Sequence, residues 1–589
     1  MVDFSHKEKM LHRFLLQRSK AKWLKKGDDN TAYFYASIKK RREENRIVHF
    51  INERGELIED YSEVVKHFVN HFRSYMGSDH LATKNVDFSN LKGNKLSLDM
   101  QVSMLKPFTR KEIKKALFSI PSSKSPGPDG FNSEFFKSMW PEIGEEFCLA
   151  ILSFFESGNI PKEFNETAIS LIPKTDNPSN AIDYRPIACC STVYKCISKL
   201  ICLRLAKALP FVINQNQGAF IQNRSIAHNI LIFQDLIKNY GRKNTSARCA
   251  IKIDLSKAYD TVNWNFLENW LNFLCFPSRF VKWIMVCIRG TSYNLMLNGR
   301  LQGSFEGKKG LRQGDPMSPL LFVLVMEFLT RRLHKETEME TFRYHPLCKK
   351  LDLVNLSFAD DLLLFSKGTQ AAVNHLKNAL DDFCNQIGLN VNLAKSQIFF
   401  GGVQADERKE IAQVIGLEEG KFPLKYLGVP LRPTKWKMED CGVILDKIKK
   451  HLHNWAAKHL SYAGRMQLIQ TIPVGTGGNS AISDQFLAQR SLSKAIRGKI
   501  KAARLYNSLI NADDCLNTSA VWCKLSLPKH RFLLWQVVNC QLLTGDQLPR
   551  FNIFIVNSSQ SMSWVLEIES HKHLFFDALL FGKIILCNI

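Results

Sequence analysis

Two adjacent acids, Asp360 and Asp361, stand between two strongly apolar runs, Leu353 to Phe358 and Leu362 to Phe365. Alternating apolar runs around a two-acid tip read as a β-hairpin with the acids at its turn. Far upstream, Cys249 to Ile253 reads as a strand that delivers Asp254 at its end. Beyond it, Val262, Phe266, Leu267, Trp270, Leu271 and Leu274 trace one face of a helix. Carboxylates crowded at the tip of a buried hairpin repel one another and raise each other's pKa unless a divalent cation neutralises them. Nucleotidyl transfer uses two magnesium ions roughly 3.5 to 4 Å apart, and three acids from two strands suffice to hold them because magnesium keeps waters and substrate phosphates in its shell. A lone Asp-Asp pair is also an ordinary solvated turn. Order and context therefore decide.

The 589 residues exceed what a single hydrophobic core supports, so several domains are expected. Hydrophobic residues make up 45% and charged residues 23% of the chain, a globular balance. A net charge of +25 points to a polyanionic partner, since each Lys or Arg set on a phosphate releases condensed counterions. The longest apolar runs, such as Ser318 to Leu329, contain Glu327 and fall short of a membrane span. No charged-then-apolar signal opens the chain, so an intracellular location, nucleus and cytoplasm, is expected. Fifteen cysteines occur without a Cys-x-x-Cys pair, which favours reduced cysteines acting as small buried hydrophobes.

Along the chain, Lys7 to Arg46 alternates basic and apolar residues as basic amphipathic helices do, and Gly77 to Gly93 is polar and aperiodic, hence a linker. Thr109 with Glu112 forms a capping box ahead of a helix through Phe118. Between Ile169 and Ile472, short strands alternate with helices in no regular βαβ period, which favours an α+β fold over a doubly wound one. The flexible run Gly475 to Ser480 marks a boundary.

The motifs, in order, resemble the LINE-type (non-LTR) retrotransposon reverse transcriptases, especially those of plant genomes. Lys124-Ser125-Pro126-Gly127-Pro128-Asp129-Gly130-Phe131 is similar to that family's fingers signature, and Leu171-Ile172-Pro173-Lys174 with Asp183-Tyr184-Arg185-Pro186-Ile187 to its incoming-nucleotide fingers. Ile253-Asp254 through Tyr259-Asp260, Gly310 through Pro319, and Phe358-Ala359-Asp360-Asp361 resemble the first three palm motifs. Gly388 through Asn392 with Lys395-Ser396 resembles the fourth, and Tyr426-Leu427-Gly428-Val429-Pro430 the fifth. The resemblance implies an RNA-directed DNA polymerase, a nucleotidyltransferase that adds dNTPs to a primer 3′-hydroxyl on an RNA template. It also implies a right-hand fold: a basic N-terminal extension over 1–105, fingers over 106–245, a palm with an antiparallel sheet over 246–430 and a helical thumb segment over 431–480. A mostly helical remnant of a zinc-binding domain would fill 481–589.

The resemblance gives each site residue a role, beside a plainer reading. Asp254, Asp360 and Asp361 would be catalytic and hold two magnesium ions. Tyr259 would lie under the incoming sugar and exclude a 2′-hydroxyl, or simply pack at the start of a helix. Lys174 and Arg185 would grip the triphosphate, or be solvated surface charges. Gln313 and Gly314 would form a turn whose missing side chain admits nucleotide or template, or an ordinary loop. Lys395 would serve as general acid for pyrophosphate, or sit exposed at a helix end. Leu427 and Gly428 would grip the primer, or end a strand. Asp260, where a helix should start, reads as an N-cap rather than a ligand.

The chain departs from the family at its periphery. Complete elements encode an endonuclease upstream, whereas Trp23 through Thr31 resembles only the connecting segment, so no nuclease is assigned. Trp522 through Thr544 resembles the terminal zinc-binding domain, yet Trp564, Glu567 and Ala578 stand near the expected cysteine positions around Glu569 through Asp577, so no zinc is expected. An active polymerase is therefore read beside a silent remnant that only binds RNA. An RNA-dependent RNA polymerase is a third reading, against which Tyr259 argues.

Overall fold

Arg248–Ile253 is buried along almost its whole length, with a strand paired on each edge and its side chains in a core shared with helices. In the computed structural model, which describes residues 45–434 apart from 53, 79–86 and 243–244, plus a few positions between 35 and 43, this strand is the middle of a five-stranded sheet. Across that sheet run Glu418–Glu419, Gln397–Gly401, Arg248–Ile253, Asp361–Ser366 and Asn355–Phe358. A strand covered on both faces needs no polar alternation, which is why Cys249 to Ile253 reads as nearly continuous apolar text.

Helices Trp264–Phe273, Ser318–Thr337 and Gln370–Ile387 belong to the core shared with this sheet. Glu327, the one acid in the apolar run noted above, is buried and satisfied by the Arg331 guanidinium at 2.8 Å and by the Asn214 backbone N–H at 2.9 Å. No helix among the described residues is long and apolar enough to cross a membrane. Trp270 is fully buried, and its indole N–H donates to the Leu324 carbonyl at 2.7 Å, joining two of these helices.

A second sheet has the order Tyr184–Cys190, Thr167–Pro173, Ser292–Leu297, Arg300–Glu306. The middle pair is parallel and the outer pairs antiparallel, so strands distant in sequence share one sheet. This sheet spans the sequence boundary at 245, because two of its strands come from the 246–430 stretch. The helix Tyr61–Met76 lays Val64, Phe68, Phe72 and Met76 on a separate core with Ile169, Leu171, Tyr293 and Leu295. Residues assigned by sequence to an N-terminal extension thus build this sheet's core.

The capping box forms as read: Thr109 caps Arg110–Ser119 and Glu112 reaches back to the cap N–H. The expected linker is corrected at its end, where Phe88 packs on Phe266, Trp270, Phe273 and Phe328. An aromatic in polar text gave little signal of its partner. The basic stretch Lys7 to Arg46 (but for a few of its positions), the thumb segment, the Gly475 to Ser480 boundary and the zinc-domain remnant lie outside the described residues. The described cysteines are all free.

Trp270→Ala should lower the unfolding free energy of this core by about 3 to 5 kcal/mol through the void it leaves and its lost N–H donor. Urea titration of the variant beside the wild type measures it.

Candidate active site

Register brings the acids together. Leu362 pairs with Ile253 and Leu363 with Lys252 in the antiparallel ladder, so Asp361 and Asp254 each stand one residue beyond its last pair, near enough for the Asp254 charge to act on Asp361. Residues paired in such a ladder share a face, with Cβ atoms roughly 4.5 to 5.5 Å apart. Asp361 also pairs with Phe358, leaving Ala359 and Asp360 as a two-residue turn. Ala359 adopts a left-handed backbone, φ 55°, a conformation that costs a residue with a Cβ about 1 to 2 kcal/mol. The turn is held there by Gln217, whose buried side-chain oxygen accepts from the Ala359 N–H at 3.1 Å and from the Ala219 N–H at 3.0 Å. Gln217 was missed by sequence reading, since nothing local tells that a glutamine so far upstream meets this turn.

Asp254 is fixed by its backbone. Its carbonyl accepts from the Asn392 N–H at 2.8 Å and its N–H donates to Ser396 Oγ at 3.0 Å. The short strands Leu255–Ser256 and Asn390–Val391 pair beside it. Lys395 therefore sits in a turn closed by hydrogen bonds to Asn392, not at a helix end, and it is exposed.

The electrostatics match crowded carboxylates. Burial, then the Asp360 and Asp254 charges, push Asp361 up to about 6, against the opposing pull of Lys252. Asp360 is likewise raised, by the protein packed around it and by Asp254, although its tip is open to solvent and Arg185 partly offsets the shift. Among the described residues no Lys or Arg forms an ion pair with any of the three aspartates. Nor, among those residues, does any group of three or more His, Cys, Asp or Glu side chains stand together so as to hold a metal ion. An open set of hard, mutually repelling oxygens suits magnesium, which takes one or two carboxylates and completes its shell with water and phosphate. Two neighbouring carboxylates, as Asp360 and Asp361 are, fit that requirement.

Arg185 and Tyr259 lie within the field of Asp360, and Lys174 within that of Arg185. Arg185 pairs with Ile172 across a hairpin, and Lys174 lies just beyond that pair on the other strand. Lys174 donates to the Ile182 carbonyl at 2.6 Å, and its pKa is lowered by burial and by Arg185. Tyr259 stacks on Phe322, centroids 4.6 Å apart, and burial and then Asp360 raise its hydroxyl pKa. The ring is thus both packed, as its plainer reading held, and beside the acids.

One expectation is corrected. Asp260 caps no helix: Asn263 does so for Trp264–Phe273, accepting from the Asn265 and Phe266 N–H groups at 2.9 and 3.0 Å, while Asp260 is buried against Gln313. Gly314, φ 114°, is needed because an added Cβ would meet the Ala188 carbonyl oxygen at 2.8 Å, so its close neighbour is the protein's own backbone. Leu427 and Gly428, φ 49° and 82°, are the turn joining Leu424–Tyr426 to Val429–Leu431. That hairpin is tied to the acids' sheet by Lys252, whose ammonium donates to the Lys425 carbonyl at 3.0 Å.

With metal absent, the raised pKa of Asp361 means that the folded state binds more protons than the unfolded chain between pH 3.8 and about 6. Stability then falls as pH rises through that window, and the deficit is complete above it. Asp361→Asn should raise the metal-free melting temperature at pH 7.5 by about 2 to 4 °C and shrink its rise on adding magnesium. Thermal scans with and without EDTA read both changes.

Comparison with known proteins extends this geometry. Residues 172–431 match the family described as reverse transcriptase (RNA-dependent DNA polymerase), and residues 501–584 match that described as zinc-binding in reverse transcriptase. A Xenopus laevis transposon TX1 protein of 149 kDa is 26% identical over 468 residues, 77% of this chain and 34% of the relative. The Pol polyprotein of the Drosophila melanogaster retrotransposable element R2DM is 26% identical over 380 residues, 62% of this chain and 34% of its own length. The chain spans about a third of the length of these relatives. An apo telomerase structure from Candida tropicalis aligns at 14% identity and a TM-score of 0.31, over 48% of this chain and 59% of that one.

Proposed function

This chain belongs to the reverse transcriptase family by residues 172–431, with relatives among non-LTR retrotransposon proteins, and on that footing we propose that it extends a DNA primer on an RNA template. The observation that carries this reading is the register that sets Asp361 beside Asp254, with Asp360 on the adjoining turn. The fold is read as a right hand, with fingers over 106–245 joined by the Ser292–Leu297 and Arg300–Glu306 strands, a palm over 246–430, a thumb segment over 431–480 and the zinc-domain remnant over 481–589.

Asp254, Asp360 and Asp361 would hold two magnesium ions, which when bound supply Lewis acidity at the attacking hydroxyl and charge neutralisation at pyrophosphate. The protein's own groups do the rest. Lys174 and Arg185 draw in the triphosphate and stabilise charge as it develops there. Tyr259, braced on Phe322, leaves no room for a 2′-hydroxyl. Lys395 donates a proton to departing pyrophosphate, and the Leu427-Gly428 turn offers backbone groups to the primer. The net charge of +25 supplies non-specific affinity for RNA and DNA.

Primed RNA, magnesium and dNTPs test the proposal. Wild type should extend the primer, and Asp360→Asn should cut the rate at least about 100-fold. RNA bound without any extension would support the silent remnant instead. Tyr259→Ala should raise the use of rNTPs relative to dNTPs by roughly 10- to 100-fold, read in competition assays. For the 501–584 stretch we propose that no zinc is held; elemental analysis of purified protein should return substoichiometric zinc.

A further inference from the structure

Asp260 is a buried acid that the reaction above leaves without a task. It is 4% exposed, and both its oxygens accept from Gln313 Nε2, at 3.0 and 3.1 Å. An ionised carboxylate can only accept, so the amide must turn its NH2 toward Asp260 and its oxygen away. Everything else about Gln313 is already fixed. Its carbonyl accepts from the Ala188 N–H at 2.7 Å, the Leu311 N–H donates to the Tyr259 carbonyl at 2.6 Å, and the Gly310 N–H donates to the Val262 carbonyl at 2.8 Å. A Cβ on Gly310 would stand 2.4 Å from the Asp260 carbonyl oxygen, so the two loops lie backbone against backbone. The orientation of one partly exposed amide is what remains to be set, and Asp260 is the group that sets it.

We propose that Asp260 is a positioning residue that holds the Gln313 amide with its oxygen facing the substrate, giving the incoming nucleotide and its template partner a hydrogen-bond acceptor at a fixed place. This inference rests on the polymerase reading, and it adds a residue outside the metal-binding trio that governs nucleotide recognition. Burial lifts Asp260 to about 7, opposed by the Gln313 hydrogen bond and by Lys257 and Lys174. Tyr75 and Tyr293 also lie within its field, from the Tyr61–Met76 helix and the Ser292–Leu297 strand. Below that pH a protonated Asp260 can donate to the amide oxygen, and the side chain is free to turn over.

The test is a double-mutant cycle on steady-state dNTP incorporation by the full chain, with Asp260→Leu, Gln313→Leu and the pair, each checked for folding by circular dichroism. Asp260→Leu should raise the dNTP KM about 10- to 100-fold with little change in kcat. In the Gln313→Leu background it should add less than about 2-fold, because no amide remains to orient. A second variant, Asp260→Asn, guards against misfolding: the wild-type KM should climb as pH falls from 8 to 6 while that of Asp260→Asn stays flat. An undiminished Asp260→Leu penalty in the Gln313→Leu background, or equal pH profiles, overturns the inference. A wild type that extends no primer overturns the polymerase reading itself, and with it this one.

Discussion

The pairing of Arg248–Ile253 with Asp361–Ser366 is the constraint on which the rest depends. Because the side-chain period of a strand is two, slipping that ladder by one residue would turn Asp361 to the other face of the sheet and away from Asp254. Desolvation of the Asp361 carboxylate, and then repulsion from Asp360 and Asp254, work against the register. Lifting Asp361 from 3.8 to about 6 is worth at most about 3 kcal/mol before solvent screening is allowed for. Burial works for it: Ile251, Ile253, Leu362, Leu363, Leu364 and Phe365 are all within about a hundredth of full burial, and each contributes about 1.5 to 3 kcal/mol. The apolar ladder wins by a wide margin, so the acids are forced together by a sheet that has no other reason to leave.

Around that ladder, precision comes from hydrogen bonds made by residues remote in sequence. Gln217 holds the strained turn at Ala359, and Asn392 with Ser396 holds the backbone of Asp254. The Gln313 loop is built similarly, stitched to Ala188 on one strand and to Tyr259 and Val262 beside another. A constellation supported in this way keeps its geometry without relying on the flexibility of its own side chains.

What could be read from sequence follows from how local each signal is. The Thr109–Glu112 box needed two residues three apart, and the acidic hairpin needed one short window, so both were legible. The acids' mutual placement needed pairing across more than a hundred residues, and only the ordered motifs suggested it. Asp260 was misread by a local rule: an acid near a helix start looks like a cap, but the helix begins four residues later and Asn263 does that work. Gln217 and Phe88 gave no signal, because their partners, a backbone N–H and four aromatic rings, become neighbours only in the fold. The glycine at 314 was legible as a close approach but not as to what approaches.

The middle strand also has a history during synthesis. Arg248–Ile253 leaves the ribosome long before either flanking strand exists, since Asp361–Ser366 and Gln397–Gly401 are made much later. For that interval a bare, greasy ribbon with two open edges must be shielded from pairing with copies of itself. Any message broken before codon 361 would leave both edges of that ribbon permanently without partners, so truncated copies of such a gene should yield insoluble protein.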